Sequence, residues 1–249
     1  MTKVFKVPTR IDAEKGQSFC QGCGHGIATR IIYEVLDEIG MENNFVAFHD
    51  LACGANAIYI QTGNAFSGAH GRAIPTATGY KRLRPDMLVF SYAGDGATYS
   101  IGMQHTMHTA MRDEKITAIV VNNTNFGMTG GQMSPTTTIG QKTTSSPMGR
   151  TKQLNGNPID ICKVYATMDV AYVARGSLDS VANINKTKQY IRKAFEKQMA
   201  GEGFTFVEIL APCPTNWAMT PAQSMERIRT ELHEIYPIGE YVERSANNA

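Results

Sequence analysis

The sequence has 249 residues, a length within the range of one large α/β domain. Its net charge is +2, from 24 basic and 22 acidic residues, and no basic tail is present, which argues against binding to nucleic acid or an anionic membrane surface. With 42% hydrophobic and 18% charged residues, the chain can bury a sizeable core. It has no stretch of about 18 apolar residues, and residues 1–8 lack the apolar segment of a signal peptide, so we expect a cytoplasmic protein without a membrane span.

The order of apolar patterns predicts an α/β fold with a mostly parallel sheet flanked by helices. In chain order, the patterns predict an irregular arm (1–19), a helix (24–39), a strand (45–48), a buried strand (87–92), a helix (103–111), a buried strand (116–121), a long loop (127–157), a strand (170–174), a helix (185–199), a strand (204–210) and a C-terminal helix (221–235). A loop as long as 127–157 within a compact domain is usually functional or part of an interface.

Polar residues follow the two buried strands where each strand ends. Gly94-Asp95-Gly96 comes after one strand, and Asn123 comes after the next. The carboxyl ends of parallel strands meet at one edge of a sheet, so an acid and a carboxamide should lie side by side there. Both are oxygen ligands suited to Mg²⁺. Gly96 and Ala97 leave the start of the following helix open to a diphosphate, which its exposed amides can bind.

Four of the five cysteines occur in glycine- or proline-rich contexts. Cys20 and Cys23 form a CxxC at the start of a predicted helix, and single cysteines follow at Cys53 and Cys213. Four thiolates are the number that a [4Fe–4S] cluster needs. Zinc on the same four ligands is the alternative, although no second CxxC is present. We interpret Cys162 as an ordinary core residue.

Taken together, these motifs resemble the β subunits of 2-oxoacid:ferredoxin oxidoreductases, enzymes with a thiamine-diphosphate-binding fold. The resemblance runs from about Phe19 to Pro237 and is strongest to the 2-oxoisovalerate and 2-oxoglutarate enzymes. Its landmarks are the start Cys20-Gln21-Gly22-Cys23-Gly24-His25-Gly26, Cys53, His70-Gly71-Arg72, Ala77-Thr78-Gly79, the GDG and NN pair, Gly127-Met128-Thr129-Gly130-Gly131-Gln132, and Cys213-Pro214-Thr215.

The resemblance implies roles for some of these residues. It implies that Cys20, Cys23, Cys53 and Cys213 bind a [4Fe–4S] cluster. Mg²⁺ would be bound by Asp95, Asn123 and the backbone carbonyl of Asn125, and thiamine diphosphate by Gly94, Asp95, Gly96, Ala97, Asn123, Gly127, Met128 and Thr129. His70 and Arg72 are the expected catalytic residues, and His25 is given no catalytic role. Family members often have a serine after the third cysteine, whereas Gly54 follows Cys53 here.

The implied activity is CoA-dependent oxidative decarboxylation of a 2-oxo acid to acyl-CoA and CO₂, with single-electron transfers to ferredoxin; 2-oxoisovalerate or 2-oxoglutarate is the favoured substrate. We expect residues 1–249 to form one domain with cluster-binding N- and C-terminal segments. An α-type partner subunit, with or without a small ferredoxin-like subunit, would contact residues 50–80 and supply the glutamate that activates the cofactor, so the chain alone should be inactive. The alternatives are a non-redox thiamine-diphosphate decarboxylase or synthase and a zinc-stabilised, non-catalytic subunit.

Overall fold

In the computed structural model, which describes residues 6–245, seven strands form a single sheet. The strands are β1 (Phe45–His49), β2 (Ala65–Ser67), β3 (Leu88–Gly94), β4 (Thr117–Asn122), β5 (Tyr172–Ser177), β6 (Thr205–Leu210) and β7 (Gly239–Glu243). Their order is β2-β1-β3-β4-β6-β5-β7. Neighbouring strands are parallel, except that β7 runs antiparallel to β5. The predicted α/β class with a mostly parallel sheet is confirmed.

Helices cover both faces of the sheet, as its buried strands require. The helices are α1 (Gly24–Glu38), α2 (Ala73–Leu83), α3 (Met103–Met111), α4 (Lys152–Asn155), α5 (Ile161–Tyr165), α6 (Val181–Met199), α7 (Pro214–Trp217), α8 (Pro221–Arg227) and α9 (His233–Ile235). One core packs α1 and α6 against the sheet, and a second packs α2, α3 and α5 against the other face. Cys162 is fully buried in the second core, as interpreted from the sequence. Within residues 6–245, no helix is both long and apolar enough to cross a membrane.

Most predicted elements are present, with shifted ends. Helix α6 begins four residues before the prediction, at Val181, because the Ser180 side chain caps it by accepting a hydrogen bond from the backbone N–H of Asn183. The predicted C-terminal helix is divided by a π-helical turn, Ile228–Leu232, between α8 and α9. Residues 6–19 of the predicted arm contain no helix, whereas residues 1–5 lie outside the described part of the chain.

Six of these helices and strands were not predicted: the short elements β2, α4, α5 and α7, and the longer elements α2 and β7. Helix α2 contains a proline and a glycine, Pro75 and Gly79, which lowered its helical signal; the proline is tolerated because it lies in the first turn. Strand β7 is half-exposed at the edge of the sheet and mixes charged with apolar residues. Its pairing with β5 is therefore decided by contacts that no local pattern reports.

One buried arginine organises the long loop between β4 and α5. Arg150 is 4% exposed, and its guanidinium donates hydrogen bonds to six backbone carbonyls. They belong to Ser134, Pro135, Thr137, Asn155, Gly156 and Asn157, at 2.7 to 3.3 Å. This segment contains only one short helix, α4, as the absence of periodicity predicted.

Candidate functional site

Asp95 lies directly after β3, at the edge where the parallel strands end. It is 1% exposed, and its Oδ2 accepts hydrogen bonds from the hydroxyls of Ser134 (2.7 Å) and Thr136. Burial raises the pKa of this carboxyl to about 6, against the lowering effect of the two hydroxyls and of the Gly96 N–H. The hydroxyls bind one oxygen and leave Oδ1 directed elsewhere, so the carboxylate has a fixed orientation.

Oδ1 of Asp95 faces two groups from the turn after β4. One terminal atom of the Asn123 carboxamide lies 3.2 Å from Asp95 Oδ1 and 2.8 Å from the backbone carbonyl oxygen of Asn125. An amide nitrogen there donates to both oxygens. An amide oxygen there would lie 3.2 and 2.8 Å from these two oxygens, close to the ~2.9 Å edge of an octahedron with Mg–O distances of about 2.0–2.1 Å. The three groups implied as Mg²⁺ ligands therefore meet at one place.

The turn after β4 has a conformation that is unusual for its residue type. Thr124 has φ of 59°, in the left-handed region that β-branched residues rarely adopt. Its carbonyl accepts hydrogen bonds from Thr137 (2.6 Å) and Gln141 (3.1 Å), and its N–H donates to Asn122 Oδ1 (3.1 Å). Its own hydroxyl is buried without a partner. The long loop and Asn122 hold a strained turn, which orients Asn123 and Asn125 on either side of it.

The helical segment after Asp95 starts at the same edge of the sheet. Its first full turn, Ala97–Ile101, is π-helical, a form found mainly at functional sites. A Cβ on Gly96 would lie 2.5 Å from the ring of Phe126, and a Cβ on Gly71 would lie 2.7 Å from the Gly102 nitrogen. The absence of side chains at these positions allows close packing and leaves the amides at the start of the segment open to an anion.

A cavity of about 390 Å³ opens between these elements. It is lined by His25, Leu51, Ala52, Cys53, His70, Gly94, Asp95, Gly96, Ala97, Asn123, Asn125, Phe126, Gly127, Met128 and Thr129. All the residues expected to bind thiamine diphosphate or Mg²⁺ line this cavity. Cys53 and His70 also line it, whereas Arg72 does not.

The His70-Gly71-Arg72 segment is fixed by Asp50, which the sequence analysis did not single out. The carboxylate of Asp50 accepts hydrogen bonds from the Gly71 N–H (2.8 and 3.1 Å), and Nδ1 of His70 lies 3.1 Å from the same carboxylate. Burial raises the pKa of Asp50, and the Gly71 N–H opposes this shift. Asp50 follows β1 at its carboxyl end, the rule that selected Asp95, so the sequence carried the signal.

Arg72 hydrogen-bonds to the backbone of neighbouring segments. Its guanidinium donates to the carbonyls of Gly71 (3.2 Å) and Ile101 (3.1 Å), next to the π-helical turn. These bonds direct it away from the cavity lining. A catalytic role for Arg72 stays a prediction, and its visible contacts stabilise the start of α2.

The four cysteines of interest come from three parts of the chain that meet beside the cavity. Gly24 packs on Ala211 and donates its N–H to the carbonyl of Pro212 (3.1 Å), which brings the CxxC next to Cys213. Burial, together with repulsion from the other thiols of the group, raises the pKa of Cys23 to about 11 and that of Cys53 to about 12. Within residues 6–245, no three His, Cys, Asp or Glu side chains are close enough together to hold a single metal ion.

His25 is a site residue that the sequence analysis set aside. It is 2% exposed, stacks on Phe19 and shares a 2.7 Å hydrogen bond between its Nδ1 and the hydroxyl of Tyr92. Burial lowers its pKa to about 4, so the imidazole is neutral at pH 7. It comes two residues after Cys23 and lines the cavity.

Comparison with known proteins identifies the family. Residues 39–209 match "Thiamine pyrophosphate enzyme, C-terminal TPP binding domain". The chain is 34% identical, over 79% of its length and 69% of the relative, to 2-oxoglutarate synthase subunit KorB of Methanocaldococcus jannaschii. The chain belongs to the β-subunit family of the 2-oxoacid:ferredoxin oxidoreductases. The resemblance read from the motifs is thus confirmed.

Two further matches describe how far this likeness extends. The chain is 37% identical to ketoisovalerate oxidoreductase subunit VorA of Methanothermobacter thermautotrophicus over 92% of its own length, but it spans only about half (48%) of that relative. A solved structure of 2-oxoglutarate:ferredoxin oxidoreductase from Magnetococcus marinus, with 2-oxoglutarate, coenzyme A and succinyl-CoA bound, superposes with a TM-score of 0.77 at 26% identity. That match covers 97% of this chain and 86% of the other. The expected thiamine-diphosphate-binding fold is confirmed.

Proposed function

We propose that this chain is the cofactor-binding subunit of a 2-oxoacid:ferredoxin oxidoreductase, which converts a 2-oxo acid and CoA to acyl-CoA and CO₂ and passes two electrons singly to ferredoxin. One observation carries the proposal. A single cavity is lined on one side by the oxygen set of Asp95, Asn123 and Asn125 and on another by the thiol of Cys53. A thiamine cofactor and an iron–sulfur cluster bound to these residues would be neighbours.

Mg²⁺ and the diphosphate fit the residues present. The converging oxygens of Asp95, Asn123 and Asn125 are hard ligands, and two hydroxyls already orient the Asp95 carboxylate. Gly96 and Gly127 bring bare backbone to the lining, so amides can approach phosphate oxygens closely. In this arrangement Asp95 and Asn123 hold the cation, and the amides at the start of the π-helical turn bind the diphosphate.

The cysteine group favours a four-iron cluster over zinc. A zinc ion needs its four ligand atoms within about 2.0–2.3 Å of one point, and no such grouping of three or more candidate ligands is found in residues 6–245. A [4Fe–4S] cluster binds each thiolate at a different iron, so its four ligands lie farther apart. Cys20, Cys23, Cys53 and Cys213 would be these ligands, and cluster binding would offset the cost of ionising buried thiols.

The residues that line the cavity indicate which part of the reaction depends on the protein and which part on the cofactors. Bound thiamine diphosphate supplies the decarboxylation chemistry, and the cluster supplies one-electron steps. The chain positions both, and the hydrogen bond of His70 to the backbone and its proximity to Asp50 fix the imidazole at the cavity. Apart from Asp95, no acidic side chain of residues 6–245 lines the cavity. The glutamate that activates the cofactor is therefore expected from an α-type partner.

The open side of the cavity is a suitable place for that partner. Two large apolar side chains of its lining are exposed, Leu51 (56%) and Met128 (48%), and so is Ile101 (51%) at the end of the π-helical turn. Tyr59 (65%) and Phe66 (51%) are also exposed within the predicted contact region 50–80. Exposed apolar groups clustered at a half-built site are typical of an interface. We propose that the α-type subunit covers them, that ferredoxin accepts the electrons, and that the chain alone is inactive.

The lining also bears on the substrate. No lysine or arginine among residues 6–245 contributes to it, whereas Leu51, Ala52, Phe126 and Met128 do. A second carboxylate, as in 2-oxoglutarate, would lack a cationic partner from this chain, and burying it unpaired is unfavourable. Between the two favoured substrates, this half of the site fits the branched apolar side chain of 2-oxoisovalerate better.

The test is anaerobic purification of the chain with its partner subunits, followed by metal analysis and activity assays. We expect about four irons per chain and a broad absorption band near roughly 400 nm, then reduction of a viologen acceptor that requires CoA and a 2-oxo acid. Cys213→Ser should lose iron, and the matched control Cys162→Ala should keep it because Cys162 lies in the core formed with α2, α3 and α5. A colourless protein with one zinc, or with no metal besides magnesium, would contradict the electron-transfer function. Activity without CoA or an electron acceptor would support the non-redox alternative.

A further inference from the structure

The short helix α7 connects two sites that the proposed function treats separately. It begins directly after Cys213, and its residue Asn216 extends its carboxamide toward the loop that lines the cofactor cavity. Nδ2 of Asn216 lies 2.9 Å from the carbonyl oxygen of Gly127, 3.5 Å from the sulfur of Cys213 and 3.5 Å from Oδ1 of Asn125. One amide group therefore contacts the diphosphate loop, the turn that bears the Mg²⁺ ligands and a candidate cluster ligand.

The network determines the orientation of this carboxamide. All three neighbours of Nδ2 are acceptors: a backbone carbonyl, an amide oxygen and a sulfur. Exchanging the nitrogen and oxygen of Asn216 would place an oxygen against two others and a sulfur, and would remove every one of these bonds. The N–H groups are therefore directed at Gly127 and Cys213. The backbone N–H of Asn216 also donates to the sulfur of Cys213, so two N–H groups of this residue contact the same sulfur.

Two neighbouring contacts connect the same parts of the structure. The indole N–H of Trp217 donates to the carbonyl of Asn123 (3.0 Å), so the next residue of α7 also contacts the Mg²⁺ turn. A Cβ on Gly127 would lie 3.2 Å from the sulfur of Cys53 and 3.6 Å from Nδ2 of Asn216. The diphosphate loop is thus packed between one cluster cysteine and the residue that is bonded to another.

We infer that Asn216 is a positioning residue that couples the cofactor site to the cluster: its carboxamide holds the diphosphate loop at Gly127 and donates to the sulfur of Cys213. The inference rests on the proposed function and adds a mechanism to it. Hydrogen bonds to ligand sulfurs stabilise the reduced, more negative cluster and raise its potential. Since the same group holds the loop, occupancy of either site stabilises the arrangement that the other needs. Such coupling is reciprocal.

The experiment uses the complete enzyme complex with Asn216→Leu, which keeps the bulk and removes the donors, and Asn216→Asp, which keeps the shape and replaces the donor with a negative charge. Thr215→Ala is the matched control, because Thr215 is exposed on the same helix. Two quantities are measured: the midpoint potential of the cluster by EPR-monitored titration, and the Kd of thiamine diphosphate in excess Mg²⁺ by calorimetry. The second is measured with the cluster present and after its removal by chelation.

We expect N216L to make the cluster potential more negative and to weaken thiamine diphosphate binding about tenfold. N216D should shift the potential further in the same direction, since its charge lies beside a thiolate. In the unmodified complex, cluster removal should weaken cofactor binding about fivefold or more; in N216L, this ratio should fall to about one. T215A should change none of these quantities.

An unchanged potential or an unchanged ratio in both Asn216 variants would overturn the inference. So would loss of iron in both variants with iron retained in T215A, since Asn216 would then hold the cluster rather than couple it. Failure of the proposed function gives a different result, because the unmodified complex would then lack iron or would not bind thiamine diphosphate.

Discussion

Replacing Thr136 with valine removes one of the two hydroxyls that orient Asp95, with almost no change in shape. Oδ2 of Asp95 accepts from both Thr136 and Ser134, while Oδ1 faces Asn123. If Asp95 binds Mg²⁺, each hydroxyl acts on the metal only through the carboxylate. The single change should therefore weaken Mg²⁺ and thiamine diphosphate binding and leave the fold intact.

The size of the effect follows from burial. Asp95 is 1% exposed, so water cannot replace a lost donor, and a hydrogen bond to a charged group contributes about 1.5–3 kcal/mol. The remaining hydroxyl retains part of the orientation, so T136V should cost about 1.4 kcal/mol, or tenfold in the Kd of Mg²⁺. Combining T136V with Ser134→Ala leaves Oδ2 without a hydroxyl donor. The pair should cost more than the sum of the two, about 3–4 kcal/mol or several hundredfold.

Calorimetric titration of the complex with Mg²⁺ at saturating thiamine diphosphate measures both values. Thr230→Val is the matched control, since Thr230 is exposed and, among residues 6–245, its hydroxyl bonds only to the carbonyl of Glu226 four residues earlier. A double variant whose Kd lies within threefold of T230V would refute the reasoning, because Asp95 would then not depend on the hydroxyls for its orientation.

Three further changes test other parts of the structure. Gly96→Ala places a Cβ 2.5 Å from the ring of Phe126, so it should displace the ring, cost about 1–3 kcal/mol and weaken thiamine diphosphate binding at least tenfold, measured by calorimetry. Arg150→Met leaves buried carbonyls without their donor and should cost about 3–5 kcal/mol, seen as faster hydrogen exchange over residues 131–157. Burial lowers the pKa of His49 to about 4, so the folded chain binds fewer protons than the unfolded chain below pH 6.5. Its stability should fall by up to about 3 kcal/mol toward pH 4, and His49→Gln should reduce the difference in Tm between pH 7 and pH 5.

Controls for these changes come from exposed residues. A Cβ on Gly79 meets no atom within 4 Å, so Gly79→Ala in α2 should leave cofactor binding unchanged. Arg84 is exposed and pairs only with Asp86 among residues 6–245, so Arg84→Met should cost less than about 1 kcal/mol. If Gly79→Ala weakened cofactor binding as much as Gly96→Ala, the clash with Phe126 would not explain the loss. If Arg84→Met destabilised the fold as much as Arg150→Met, the buried hydrogen bonds of Arg150 would not explain its effect. A pH profile unaffected by His49→Gln would mean that other groups account for the acid destabilisation.

Much of the candidate site could be predicted from the sequence because its signals are local. Asp95 and Asn123 each end an apolar run, and parallel strands place their carboxyl ends at one edge. The four cysteines lie in glycine- and proline-rich contexts that a core cysteine does not need. Asp50 obeys the strand-end rule too, yet it was missed because the strand before it is short and gave a weaker signal.

The side chains that support these residues could be identified only from the tertiary structure. Ser134 and Thr136 contact Asp95 across 39 and 41 positions of sequence, from a loop without periodicity. Asn216 reaches Gly127 across 89 positions. Serine, threonine and asparagine are common in any turn, so their identity carries no information about which distant group they contact. Local apolar patterns and strand ends determine which polar groups lie at the sheet edge. Hydrogen bonds between residues that are distant in sequence form only in the folded chain, and they decide how these groups are oriented and connected.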